Sequence, residues 1–303
     1  MPTPEFACRQ GALVLALMFG LAFLASGCPP EAKSKTLPAQ RIVALGPSLT
    51  EMVFALGLGD RLVGRSNWCN HPPEAQRVPA VGAVNAWNEE RVMALKPDLI
   101  LALEGQRAPV ERLAALTRAQ LVVLPTESVA DIGRHMATIA QLAGVSAVGR
   151  AWAQRLEENL QVRRAEVAKI KNKPRTFYVV WDEPLMTAGP RSYIGELIEL
   201  AGGQNIVPPH LPGSYPTFGF EALLVADPDV LLTSSDREGG LQLLKRRFAG
   251  LRAVHTGQVH SLPSDLISRP GPRVLEALAA MKALLQPRPP SIPLRVPPPQ
   301  HRS

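Results

Sequence analysis

Two stretches of this chain carry the same short pattern. "EERVMALKPDLILAL" occupies 89–103 and "FEALLVADPDVLLTS" occupies 220–234. In each, a glutamate (Glu90, Glu221) stands seven residues ahead of Pro-Asp, and an apolar run follows. An amphipathic run that halts at proline reads as a helix, and a short continuous apolar run reads as a buried strand. A chain that writes helix, Pro-Asp, buried strand once in each half is constrained toward two similar α/β lobes. Its 303 residues fit two lobes of ordinary size.

The rest of the chain agrees with that division. "RIVAL" (41–45), "RLVGRS" (61–66), "DLILAL" (98–103) and "QLVVLP" (120–125) are short strand-like runs, separated by helical patterns. Strands alternating with helices predict a largely parallel sheet. In "GPSLTEMVFALG", Ser48 is placed to cap a helix, Glu51 to complete a capping box and Gly57 to stop it. The N-terminal lobe is expected over 41–145. A long amphipathic helix follows from Ser146 to about Lys171, with apolar Val148, Trp152, Leu156, Leu160, Val162 and Val167, and Pro174 beyond it. At ~1.5 Å per residue such a helix spans a lobe, so 146–173 is read as the connector. The second lobe is expected over 174–285. A Pro-rich end, 286–303, is expected to be a disordered tail.

The N-terminus reads as a targeting segment. Arg9 precedes "GALVLALMFGLAFLASG", and the small residues lead straight into Cys28. "LASGC" resembles a bacterial lipobox, which predicts a signal peptide over 1–27, lipidation at Cys28 and a tether over 28–40. An uncleaved anchor helix is the alternative, and either places the body on the outer side of the membrane. Of three cysteines only Cys69 remains in the body, so no internal disulfide can form. The formal charge is +7, but the basic residues are scattered and not interleaved with aromatics, which argues against nucleic acid.

Aromatic residues make up only 5% of the chain, yet four fall in loop-like or strand-end contexts: Trp68, Trp87, Trp181 and Tyr215. Such residues either cover the core or form the walls of a site for a flat, apolar ligand between the lobes. Glu90 and Glu221 sit in the first turn of their helices, where a carboxylate suits the helix dipole. Paired on two lobes, they also suit a two-point contact with arginines of a symmetric partner. No Gly-x-Ser-x-Gly, P-loop or dinucleotide fingerprint is present. Cys69 beside His71 is the one hint of a thiol hydrolase, with no residue placed to orient the histidine. The six histidines are dispersed, and no resident metal or cofactor is expected.

From Arg41 to about Leu285 the chain resembles the helical-backbone substrate-binding proteins of ABC importers, which bind cobalamin, ferric siderophores and haem. The stretches that carry the resemblance are "RIVALGPSLTEMVFALGLGDRLVG", "NEERVMALKPDLILA", "PLMTAGPRSYIGELIELAGGQNI", "FEALLVADPDVLL" and "RPGPRVLEAL". "WCNHPPEA" and "LMTAG…IELAGGQNI" are most similar to the cobalamin-binding branch. The resemblance implies two lobes with largely parallel sheets joined by one long backbone helix, small lobe motion and no enzymatic activity. It implies ligand contacts at Ser48, Trp68, Tyr215, Asp265 and Arg269, with Trp181 near another. One tryptophan of the family site falls on Val84, with Trp87 three residues away. Glu90 and Glu221 match the glutamates that dock on a permease dimer, whose ATPase subunits complete the transporter. The implied protein is a monomer, lipid-anchored on the periplasmic or cell-surface side, carrying a corrinoid. A ferric siderophore or haem is the same-fold alternative.

Overall fold

The computed structural model describes residues 37–125, 128–234 and 240–286. The expected signal segment, Cys28, most of the expected tether and the Pro-rich end beyond 286 lie outside the described residues. The described residues from Pro38 onward form one compact unit.

The first half folds around a six-stranded sheet. Its strands are β1 (Ile42–Ala44), β2 (Leu62–Ser66), β3 (Ala80–Ala83), β4 (Ala86–Trp87), β5 (Leu99–Leu103) and β6 (Gln120–Leu124), in the order β4-β3-β2-β1-β5-β6. All neighbours are parallel except the β3–β4 pair. Helices α1 (Pro47–Ala55), α2 (Glu89–Ala94), α3 (Arg107–Thr117) and α4 (Val129–Leu142) connect and cover it. Helix α5 (Ser146–Val167) then leads to the second half. There β7 (Arg175–Asp182), β8 (Leu185–Thr187), β9 (Gln204–Asn205), β10 (Val230–Thr233) and β11 (Val259–Ser261) form a sheet ordered β11-β10-β7-β8, with β9 also paired to β7. Its helices are α6 (Tyr193–Ala201), α7 (Phe220–Ala226), α8 (Gly240–Arg247), α9 (Arg252–His255), α10 (Ser264–Ile267) and α11 (Val274–Leu285). The parallel path β2-β1-β5-β6 of the first sheet recurs as β9-β7-β10-β11 in the second. The chain is thus an α/β protein of two similar lobes joined by a long helix.

The Pro-Asp repeat does more than stop a helix. Asp98 accepts hydrogen bonds from the backbone N–H groups of Gln40 and Arg41, at 2.8 and 3.0 Å. Asp229 accepts one from the backbone N–H of Arg175 at 2.8 Å. Each carboxylate thereby fastens the start of the neighbouring central strand, β1 or β7. The residue before each proline is left-handed, Lys96 at φ 45° and Asp227 at φ 38°. This ends α2 and α7 sharply. The arginine that opens each central strand returns to the same place. Arg41 Nε donates to Leu95 O at 2.9 Å, and Arg175 Nη1 donates to Asp227 O at 3.4 Å. Carbonyls left open at a helix C-terminus are satisfied by those guanidiniums.

Three sequence expectations need correction. Ser48 does not cap α1. An extended Gly46 takes that position and Pro47 opens the helix, where its fixed φ fits and its missing N–H costs nothing. Glu51 is therefore not part of a capping box; it is buried and held by arginines. The long helix ends at Val167, four residues before the expected Lys171, and Val148 and Val162 on it are exposed. Only the stripe of Trp152, Leu156, Leu160 and Val167 meets the core. Trp87 lies on strand β4 rather than in a loop. Gly82, at φ 134°, permits that hairpin, since a Cβ there would stand 2.5 Å from Ala86 O.

One apolar core runs through both lobes. It joins Ile42, Leu49 and Met52 of the first lobe, Leu156 and Leu160 of α5, and Tyr178, Leu197, Ile198, Val274 and Met281 of the second. Two satellite clusters fill the outer faces of the sheets, one around Val43, Ile100 and Leu113 and one around Phe177, Leu231 and Phe248.

Candidate functional site between the lobes

Parallel sheets deliver loops at the carboxyl ends of their strands, and ligands of open α/β sheets bind there. Trp68 lies in the loop after β2 and is 64% exposed. The next residue explains its posture. Cys69 is buried, its sulfur 3.1 Å from both Thr50 Oγ1 and Ser66 Oγ, and its backbone N–H bonds Ser66 O at 3.2 Å. The thiol anchors the loop from beneath, and its neighbour projects outward. The partners of Cys69 are hydroxyls and not His71, so the geometry offers no thiolate–imidazole pair.

On the second lobe Trp181 is 51% exposed near the end of β7, its indole N–H donating to Glu183 O at 2.7 Å. Tyr215 is 39% exposed. Its loop is tied down by Gly189 N–H bonding Ser214 O at 2.9 Å. Val180, Tyr193, Ile194, Tyr215, Ser268 and Pro270 line a cavity of about 250 Å³. A second cavity of about 290 Å³ shares Val180 and extends past Trp181, Thr233 and Ser264. Burial pushes the Tyr215 phenol up, while the Ile194 backbone N–H draws it the other way. Trp87, by contrast, is half-buried against the cluster of Val43 and Val92, and covers core.

The lobes meet through a charged network that the sequence did not reveal. Arg273 holds Glu51 with two hydrogen bonds, Nε to Oε2 at 2.9 Å and Nη2 to Oε1 at 2.8 Å. Arg269 Nη1 reaches Glu51 Oε1 at 3.3 Å and Asn70 Oδ1 at 2.6 Å, and its Nη2 donates to Trp68 O at 3.2 Å and to Asp265. Asn70 Nδ2 donates to Asp265 Oδ2 at 2.7 Å. Glu51 and Asn70 belong to the first lobe; Asp265, Arg269 and Arg273 belong to the second. The Glu51 side chain is 1% exposed and that of Arg269 is 9% exposed. Ser48 is buried, with Gly271 of the other lobe against it. Of the sequence-derived ligand residues, then, Trp68, Trp181, Tyr215 and Asp265 reach the surface. Arg269 and Ser48 lie in the floor where the lobes join. The Arg269 guanidinium thus reaches across to the Trp68 backbone, while its chain neighbours Ser268 and Pro270 border the Tyr215 cavity.

Glu90 and Glu221 occupy the second position of α2 and α7, and both are exposed. Among the described residues neither has an ion-pair partner, whereas the adjacent Glu89 pairs with Arg112 at 2.7 Å. Three residues after each glutamate the helix exposes an apolar side chain, Met93 and Leu224.

Asn70, Tyr193 and Arg273 were not singled out from the sequence, and Glu51 only as a capping residue. Glu51 and Arg273 are too far apart in the chain for any periodicity to pair them. The one local cue, Ser48 three residues before Glu51, pointed to a cap instead.

Two lobes with matched sheets, a long linking helix and aromatic side chains around the junction define a binding protein rather than an enzyme. The chain belongs to the periplasmic binding protein family, whose model matches residues 42–266. It is 32% identical over 253 residues to the vitamin B12-binding protein of Vibrio cholerae serotype O1, covering 82% of this chain and 90% of that one. It is 33% identical over 252 residues to the vitamin B12-binding protein of Yersinia pestis, covering 80% of this chain and 86% of that one. The crystal structure of the periplasmic vitamin B12 binding protein BtuF of Vibrio cholerae superposes with a TM-score of 0.70 at 31% identity, over 82% of this chain and 97% of that one. The periplasmic haem-binding protein BhuT, solved with two haems, gives 0.71 at 27% identity, over 81% and 99%.

Proposed function

We propose that this protein captures cobalamin or a related corrinoid between its lobes and delivers it to an ABC importer. The observation that carries this reading is the trio of exposed aromatics, Trp68, Trp181 and Tyr215, gathered around the lobe junction of a chain with few aromatics. Flat apolar rings of this kind suit the faces and edges of a macrocycle. The vitamin B12-binding relatives support the choice of ligand. Trp68, Trp181 and Tyr215 form the walls. Asp265 supplies a polar contact at the rim, while Arg269 and Ser48 shape the floor. Cys28 holds the protein to the outer face of the membrane, and Glu90 and Glu221 meet arginines on the two halves of a permease dimer whose ATPase subunits drive transport. The protein works as a monomer.

Tryptophan fluorescence of the purified body, titrated with cyanocobalamin, haemin and a ferric siderophore, tests the reading. Saturable quenching by the corrinoid at micromolar concentrations or below is expected, and Trp68→Ala should weaken it about thirtyfold, the ~2 kcal/mol of a buried aromatic anchor. Saturable binding of haemin with no response to the corrinoid would transfer the assignment to the haem-binding side of the family, as the fold shared with BhuT allows.

A further inference from the structure

Tyr193 opens α6 and is 2% exposed, yet its hydroxyl has no hydrogen-bond partner among the described residues. A buried phenol normally finds a partner, because an unsatisfied hydroxyl costs about 1–3 kcal/mol. The local structure leaves it little freedom to find one. Ser192 caps the helix, accepting from Gly195 N–H at 2.9 Å and donating to Gly189 O at 2.7 Å. Gly195 packs so closely on that turn that a Cβ would stand 2.1 Å from Gly189 O. The start of α6, with Tyr193 on it, is therefore fixed in place.

Tyr193 is also one of the residues lining the cavity of Tyr215, Ser268 and Pro270. The charge environment of that cavity is one-sided. The N-terminus of α6 contributes its positive dipole end, and the Ile194 N–H is directed at the Tyr215 oxygen. Burial and the neighbouring Tyr215 and Glu51 push the Tyr193 phenol up, so it remains a donor. Glu51 itself is occupied by Arg269 and Arg273 and offers no free acceptor on the sides those arginines hold.

We infer that Tyr193 is a specificity-determining residue, its buried hydroxyl donating to a neutral carbonyl oxygen, of the kind a primary amide side chain carries, when a ligand fills the Tyr215 cavity. This rests on the corrinoid reading, since a corrinoid bears several such amides on its periphery. A group without an acceptor oxygen at that place leaves the buried hydroxyl unpaired and is disfavoured.

The test is Tyr193→Phe, which removes one oxygen and leaves the ring. Affinity for cyanocobalamin should fall about five- to tenfold, the worth of one hydrogen bond. The Tm of the ligand-free protein should stay the same or rise, because an unpaired buried hydroxyl has been deleted. Unchanged affinity in Tyr193→Phe overturns the inference and leaves the corrinoid reading standing. A lower Tm without ligand also overturns it, since the hydroxyl would then serve the fold. Failure of the wild type to bind any corrinoid overturns both.

Discussion

Arg273 grips Glu51 across the lobe junction through two parallel hydrogen bonds of 2.9 and 2.8 Å. The carboxylate is buried, and among the described residues Arg273 and Arg269 are its ion-pair partners. Removing one partner of such a pair leaves an uncompensated buried charge, at a cost of about 3–5 kcal/mol. Glu51→Ala should therefore lower the urea midpoint steeply. The pair Glu51→Met with Arg273→Met should recover much of the loss, because apolar side chains of similar size avoid the desolvation. A double variant less stable than Glu51→Ala would show that the network is worth more than its packing.

Asp98 and Asp229 perform one task in two lobes. Asp98→Ala and Asp229→Ala should each cost about 1–3 kcal/mol, since each strands backbone N–H groups at the start of a central strand. The sites share no partner, so the two losses should add in the double variant to within about half a kcal/mol. Chemical denaturation of the four proteins measures this. A loss confined to one site would break the equivalence of the lobes.

His135 is buried on α4 with Nδ1 lacking a hydrogen-bond partner among the described residues. Burial holds its imidazole below the ordinary value of 6.5, against the opposing pull of Asp131 and with the assistance of Arg134. Below that pH the unfolded chain takes up a proton that the folded protein resists. The contribution is thus complete above pH 6.5 and is lost as pH falls. Wild type should lose stability faster than His135→Leu between pH 7 and 5. Parallel stability curves for the two proteins over that interval would exclude His135 as the cause.

The proposed docking surface can be separated from the binding site. Glu90→Arg combined with Glu221→Arg should abolish corrinoid uptake in cells while the purified protein keeps its Kd. Both side chains are exposed, so stability should change by less than about half a kcal/mol. Uptake that survives the double reversal would remove these glutamates from the interface.

The fold was legible because its signals are local. Apolar runs such as Leu99–Leu103 and the stop at Pro97 state their own structure, and the repeat at Pro228 states the second lobe. Exposed aromatics were legible for a similar reason, since a tryptophan at Trp68 in a polar loop has no apolar face to join. Trp87 defeats the same logic, because a two-residue strand leaves no periodicity to read. The junction was legible only in part, since the resemblance named Asp265 and Arg269 but nothing paired them with Glu51, Asn70 or Arg273. Glu51, Asn70, Asp265, Arg269 and Arg273 are ordinary charged or polar residues until folding brings the two ends of the chain together. Tyr193 sits among the buried apolar residues of α6, and the missing partner of its hydroxyl is what distinguishes it.

The core that passes unbroken from Leu49 through Leu160 to Met281 has a bearing on timing. Lobes joined in this way cannot swing wide without wetting apolar surface, so an empty molecule already holds nearly the outline of a loaded one. Capture then needs little rearrangement and can be quick. Opening the lobes to let a ligand go would carry the same cost of wetted apolar surface.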